Sequence, residues 1–144
     1  MKIKISGPTV LMRLLFICLV VPTVTTQAQN IQTDKIQWNA TSLNDLNHNT
    51  VVASAPCQFV TTGSQIDWIQ GNGSYVNSFT IISTSGTWSD LTKSGSVVSS
   101  VKSNSLTGQI TVARDNNGIT IKLVLSGGTN PIGILYTIST FEKL

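Results

Sequence analysis

The sequence predicts an all-β protein, a small antiparallel β-barrel or β-sandwich of seven to eight short strands. Three observations lead to this prediction. From residue 50 onward Ser, Thr, Val, Ile, Gly and Asn dominate, a composition that favours extended structure. Apolar and polar residues alternate over short runs, with turn residues about every eight to twelve positions. After a predicted signal segment 116 residues remain, enough for one domain with its own core.

The first 28 residues have the composition of a signal peptide. Three cations precede the apolar run at residues 14–21, and Pro22 and small residues follow that run. Eight apolar residues are far fewer than the roughly 20 that a membrane-spanning helix needs. We therefore predict a signal peptide over 1–28, a single β domain over 29–144, no membrane span, and a secreted or periplasmic location. The exit from the signal is more typical of bacterial export, which would place the protein at a bacterial envelope.

The charge balance of the predicted mature chain argues against nucleic acid as a partner. The whole chain carries a formal net charge of +3, but residues 29–144 hold six cations and six anions. Binding to a polyphosphate backbone needs clustered cations, which this segment lacks. Cys57 is the only cysteine in the segment, so no disulfide can form within it. Burial in the core near Phe59 is the simplest prediction for this thiol, and a reactive thiol is the alternative.

The strand predictions follow from alternation and from turn residues. The pattern is clearest over residues 118–126, and residues 109–114 precede it with a matching apolar face. Residues 115–118, Asp-Asn-Asn-Gly, supply the residues that adopt positive φ in a tight hairpin. Strands are predicted in chain order over residues 35–39, 56–61, 65–70, 76–84, 96–103, 109–114, 118–126 and 132–141.

One short helix is the most that the sequence allows, near residues 42–47. Ser42 can serve as its N-cap, and Asp45 three residues later completes a pair that resembles a capping box. The segment is long enough for one or two turns at most.

The residues that perform common enzyme chemistry are scarce. His48 is the only histidine, which argues against a Ser-His-acid triad and, with one cysteine in the predicted mature chain, against a zinc site. Asp67 and Asp90 each lie beside a tryptophan, and a glycosidase would need them in one cleft. We predict a protein that is not an enzyme, with no metal and no cofactor, and keep a small hydrolase using these two carboxyl groups as a minor alternative.

Aromatic side chains are the best candidates for ligand contacts. Trp68, Trp88 and Tyr75 can form walls for an apolar ligand or platforms for a sugar. The alternative is an ordinary core role, since Trp68 shares strand parity with Ile66. Trp88 follows Gly86 and is expected at a strand start or at a barrel end.

A short segment resembles a known family. The Gly86-Thr87-Trp88 element, the Gly95-Ser96 pair and the Leu-Thr-Gly run at 106–108 are similar to the opening hairpin of avidin-type barrels. Lipocalins share the G-x-W element, so the resemblance is to the wider calycin group of ligand-holding β-barrels. It implies that Ser96 would bond a ligand and that Asp90 would approximate a polar contact beside it. It covers about 23 residues, and about 57 mature residues precede it, which departs from those families.

Two functions follow from these observations. The first is a secreted, non-enzymatic β domain that holds a small apolar ligand or a saccharide, with Trp68, Trp88, Tyr75, Asp90 and Ser96 as the site residues. The second is a structural or adhesive surface module that contacts other proteins, and either can form a homo-oligomer. A deep internal pocket would favour the first, and a solid core with exposed apolar residues would favour the second.

Overall fold

A computed structural model describes residues 30–144, and the predicted signal peptide lies outside them. The all-β prediction is confirmed. Apart from one 3₁₀ turn, Gly71–Gly73, the regular structure of these residues is entirely β-strand. The strands are β1 (Ile36–Asp45), β2 (Thr50–Val52), β3 (Cys57–Thr61), β4 (Gln65–Gln70), β5 (Tyr75–Ser85), β6 (Gly95–Lys102), β7 (Thr107–Asp115), β8 (Gly118–Ser126) and β9 (Ile132–Lys143).

The strands form a closed antiparallel barrel, so the choice between barrel and sandwich is settled. Consecutive strands pair from β3 to β9, and β1 closes the barrel by pairing with β3 on one side and β9 on the other. Eight strands make the barrel wall, and β2 is an extra strand that pairs only with β1. Within residues 30–144, no helix is long and apolar enough to cross a bilayer.

The helix considered for residues 42–47 does not form. β1 continues through Asp45, because Leu43–Asp45 pairs with β2 on one edge and with β9 on the other. Two ladders of backbone hydrogen bonds replace the single turn of helix that Ser42 could have capped. Residues 46–49 form the turn that leads into β2.

The predicted hairpin of β7 and β8 is confirmed. The two strands are in register from the Thr107–Ser126 pair to the Asp115–Gly118 pair, and Asn116 and Asn117 form the turn. The positive φ that the hairpin requires falls on Gly118 alone, at 121°. Asp115 Oδ1 accepts a 2.7 Å hydrogen bond from the backbone N–H of Asn117, which stabilises the turn.

The barrel interior is filled by side chains from alternate positions of each strand. The cavity that inward residues such as Ile66, Val97 and Val112 line has a volume of only about 20 Å³. That is room for about one water molecule. The largest fully buried side chains are Trp38, Tyr136, Phe59, Phe79, Ile36, Ile66, Leu91, Ile110, Ile121, Leu123, Leu125 and Val101.

The two ends of the barrel differ in the connections that they carry. The closed end carries residues 30–35 and the β3–β4, β5–β6 and β7–β8 connections. The open end carries β2 and the β1–β3, β4–β5, β6–β7 and β8–β9 connections.

Candidate functional site

Trp88 seals the closed end. Its side chain is 4% exposed and stacks on Trp38, with ring centroids 6.4 Å apart. Its indole N–H donates to the carbonyl oxygens of Asp90 and Lys93, each at 2.9 Å. A Cβ on Gly95 would overlap the Trp88 ring, so glycine is required where β6 begins. The expectation that Trp88 lies at a barrel end is confirmed, and its indole N–H is already satisfied within the chain.

The other closed-end candidates face away from the barrel interior. Ser96 alternates with the buried Val97 on β6 and is exposed. Asp90 Oδ1 accepts hydrogen bonds from the Thr92 hydroxyl and backbone N–H, at 2.6 and 2.9 Å, and these, with Lys93 nearby, lower the pKa of Asp90. In the structure, the segment that resembles avidin-type barrels spans the β5–β6 connection, β6 and the start of β7.

Trp68 belongs to an aromatic cluster inside the barrel, toward the open end. It stacks on Phe59 with ring centroids 6.4 Å apart, and Tyr136 meets both rings edge-on. Its indole N–H is buried and makes no hydrogen bond of normal geometry within residues 30–144. Trp68 and Trp88 therefore lie at different levels of the barrel, and the five predicted site residues do not form one pocket.

Cys57 is buried against the same aromatic cluster. Its side chain is 8% exposed, and burial raises the pKa of the thiol to about 11, while contacts with Trp68 and Tyr136 lower it less. Burial also raises the pKa of Tyr136 to about 12, and the neighbouring Cys57 contributes. The thiol is thus protonated at neutral pH, which matches the simplest sequence prediction for Cys57.

Exposed apolar side chains gather at the open end. Tyr75 is 69% exposed and its ring lies over Gly71 in the β4–β5 turn. Of the eight large apolar residues that are exposed within 30–144, five lie in the β1–β2 turn, in β2 or at the start of β5, all at this end: Leu46, Val51, Val52, Tyr75 and Val76. Such a grouping on one part of a surface is typical of an interaction site.

The first half of β5 has a free edge. Tyr75–Ser78 pairs with β4 on one side, but pairing with β6 begins only at Thr80 opposite Lys102. β6 ends there, and the chain turns through Ser103 into β7. Asn77 occupies an inward position opposite Trp68, yet it is exposed, because the barrel wall has no strand beside it. We call residues Tyr75–Phe79 the β5 free edge.

A groove lies beside the β5 free edge and has a volume of about 680 Å³. One side is formed by β5, and the other by the β6–β7 turn. The lining is mostly hydroxyl and amide groups, together with one exposed valine, one exposed isoleucine and one lysine. Its residues are Val76, Asn77, Ser78, Thr80, Ile82, Lys102, Ser103, Asn104 and Ser105. We call this the β5 groove.

β2 is a second free edge at the same end. It pairs only with Leu43–Asp45 of β1, and all three of its residues are exposed. Val51 and Val52 point to opposite faces and are 70% and 41% exposed, so neither face of this strand is covered within the described part of the chain.

A smaller cleft of about 380 Å³ lies where β3 and β4 reach the open end. Asn39, Gln58 and Ile69 are cross-strand neighbours on the outer face and form its floor. Pro56 and Asn72 are among the residues that border it, and no charged side chain lines it. Asn39 is held in place by a 3.0 Å hydrogen bond to the Thr140 hydroxyl. We call this the amide cleft.

The histidine and aspartate side chains that could act in catalysis form hydrogen bonds with nearby residues. His48 Nδ1 lies 2.8 Å from Asp45 Oδ2 in the exposed β1–β2 turn, and this contact is the largest reason that the pKa of Asp45 is lowered. Asp67 is on the outer face of β4 and accepts from Gln65, whereas Asp90 caps a turn at the closed end. No group of three or more metal-ligating side chains occurs in residues 30–144.

No protein-family model, curated protein or solved structure matches this chain.

The sequence analysis named Tyr75, which lies at the open end, as a candidate for ligand contacts, but it missed the β5 free edge, Lys102 and the amide cleft. One signal was present: residues 75–85 form a strand with no charged residue and no proline. Those are the residues with which proteins usually protect an exposed edge. Whether an edge is exposed, however, depends on where the neighbouring strand ends.

Proposed function

We propose that this protein is an exported, non-enzymatic contact module that binds an extended segment of another polypeptide at the open end of its barrel. The segment would add as a strand to the β5 free edge. The observation that carries this proposal is the unpaired edge of Tyr75–Phe79 beside a groove of about 680 Å³.

The barrel interior does not support the alternative of an enclosed apolar ligand. The cavity that Ile66, Val97 and Val112 line has a volume of about 20 Å³, whereas sites for small ligands usually span about 300–1,000 Å³. Trp38, Trp68 and Trp88 are each at most 5% exposed. A ligand could reach their rings only if the packed core opened, which favours function at the outer surface.

The chemistry of the β5 free edge favours a polypeptide. An unpaired strand edge presents backbone N–H and C=O groups in the pattern that another strand complements. Tyr75 and Val76 supply exposed apolar surface for the side chains of that strand. The β6–β7 turn borders the groove on the far side, so a single extended segment fits it better than the wall of a second barrel.

Selection from a displayed library of random heptapeptides tests this function on the exported protein. Backbone pairing predicts that N-methylation at alternate positions of a selected peptide abolishes binding, since it removes N–H donors. Val76→Lys places a charge beside the edge and should weaken binding at least about tenfold, or about 1.4 kcal/mol. Val124→Lys is the matched control, because Val124 is similarly exposed but lies on the outer face of β8.

Two results would contradict the proposal. One is a set of selected peptides that tolerate N-methylation at every position. The other is equal loss of binding in the Val76→Lys and Val124→Lys variants.

A neutral saccharide in the amide cleft is the second candidate, carried by the three side-chain amides around Ile69 and by the absence of charge in the lining. Amides donate and accept hydrogen bonds, which suits sugar hydroxyl groups, and the aliphatic floor suits the C–H face of a sugar ring. The cleft of about 380 Å³ falls in the usual size range for small-ligand sites.

Titration calorimetry with neutral oligosaccharides tests this second candidate. Gln58→Ala should weaken binding about tenfold, because it removes a donor and an acceptor from the cleft. Gln109→Ala, an exposed glutamine on β7, should leave binding unchanged. The candidate fails if no neutral oligosaccharide binds, or if both variants bind equally well.

A further inference from the structure

The β5 groove contains a single cation. β6 fills the position beside β5 up to the Thr80–Lys102 pair, so Lys102 lines the groove at the point where the β5 free edge meets the complete barrel wall. Lys102 takes part in none of the three ion pairs found within residues 30–144. No carboxylate lines the groove, and Asp67 on the neighbouring strand accepts a 2.6 Å hydrogen bond from Gln65.

We propose that the docked strand is a C-terminal segment and that its terminal carboxylate binds Lys102. This inference rests on the proposed function and names the kind of partner that it requires. A lysine ammonium without a carboxylate partner, placed where the free edge ends in an otherwise neutral groove, complements an anion and disfavours an N-terminal ammonium. The hydroxyl and amide groups that line the groove, such as those of Ser78 and Ser105, can bond the other carboxylate oxygen.

The position of Lys102 also sets the direction of the docked strand. β5 runs from the open end toward the closed end, with Tyr75 first and Thr80 opposite Lys102. A strand whose C-terminus lies at Lys102 must run the same way, so it adds parallel to β5. At about 3.3 Å per residue, Tyr75–Phe79 accommodates about five residues of the partner.

The experiment compares two peptide libraries on the exported protein. One presents random heptapeptides with a free C-terminal carboxylate, and the other presents the same peptides as C-terminal amides. We expect enrichment from the free-acid library, and amidation of a selected peptide should weaken it about tenfold. In Lys102→Met the acid and amide forms should bind equally, and the acid should lose most of its dependence on salt. Lys122→Met, which removes an exposed lysine from β8, is the matched control and should behave as the original protein.

The outcomes separate the two proposals. Equal binding of acids and amides at the β5 groove overturns the carboxylate inference and leaves strand addition intact. Enrichment only of amidated peptides that carry Asp or Glu side chains also overturns it, because Lys102 would then read a side chain. Failure of both libraries to enrich any peptide overturns strand addition and the carboxylate inference together.

Discussion

Both ends of this barrel carry aromatic and polar residues, but the two ends differ in how far these residues are buried and hydrogen-bonded. At the closed end, Trp88 is buried and its indole N–H is bonded twice to backbone carbonyls. Arg114 Nη1 donates to the Leu91 carbonyl at 2.8 Å, and Lys143 pairs with Asp34 at 3.0 Å across the same end. At the open end, Trp68 is buried without a hydrogen bond of normal geometry, and Tyr75 is largely exposed.

This difference separates stability from recognition. Polar groups that are satisfied and covered stabilise a fold, whereas exposed apolar groups and unpaired strand edges contribute little to it and remain free for a partner. The two free edges, on β2 and β5, both lie at the open end. We therefore expect substitutions at the closed end to change the free energy of unfolding, and substitutions of exposed residues at the open end to change the proposed binding.

The largest effect is expected from Trp88→Ala. The variant removes a buried ring that stacks on Trp38, and it should lower the free energy of unfolding by about 3–5 kcal/mol. Tyr75→Ala at the open end should change it by less than about 0.5 kcal/mol. Urea unfolding of both variants measures the difference. Comparable losses would contradict the contrast between the ends.

High pH should destabilise the open-end cluster. The pKa of Cys57 is raised from 9.0 to about 11 by burial, so the stabilisation is complete below pH 9 and is lost as pH rises toward 11. Tyr136, raised from 10.0 to about 12, continues the loss at higher pH. Since one pKa unit is about 1.4 kcal/mol, the loss from Cys57 is on the order of 2 kcal/mol.

Cys57→Ala sharpens this prediction. Urea unfolding at pH 8 and pH 10.5 should show a smaller decrease for the variant than for the original protein, because the thiol no longer titrates in the unfolded state. If both proteins lose the same stability between these pH values, Cys57 is not the group responsible.

A smaller effect should distinguish the hydrogen bonding of two tryptophans. Trp38 Nε1 donates to the Thr61 hydroxyl at 3.0 Å, whereas Trp68 Nε1 makes no such bond. Trp38→Phe leaves Thr61 without this partner, so it should cost about 1 kcal/mol more than Trp68→Phe, which removes a buried unpaired donor. Thermal or urea unfolding of the two variants decides the order, and an equal cost would contradict it.

The most local effect is expected in amide hydrogen exchange. Within Tyr75–Ser78, amides that face the groove should exchange faster than those that face β4, because only the latter are paired. Amides of Ile110 and Val112 on β7, a strand paired on both sides, are the internal reference. Uniform protection along the β5 free edge would show that this edge is covered in solution.

Much of the fold follows from the sequence alone. The alternation of apolar and polar residues determined which side chains point inward on β4, β8 and β9. This was readable because successive side chains of one strand point to opposite faces, whatever the neighbouring strands are. The tight turn before Gly118 determined the β7–β8 hairpin. Residues 42–45 were ambiguous, since a short segment can satisfy a helix cap or a ladder, and strand pairing with β9 decided the outcome.

The tertiary structure decided the rest, because it depends on residues that are distant in sequence. Closure of the barrel joins Trp38 to Phe141, and no local pattern specifies that pairing. The free edge exists because β5 begins five residues before its pairing with β6 at Thr80, a mismatch that neither strand's own sequence reveals. The sequence determined the strands and their inward faces; the register between strands determined which end is sealed and which end keeps free strand edges.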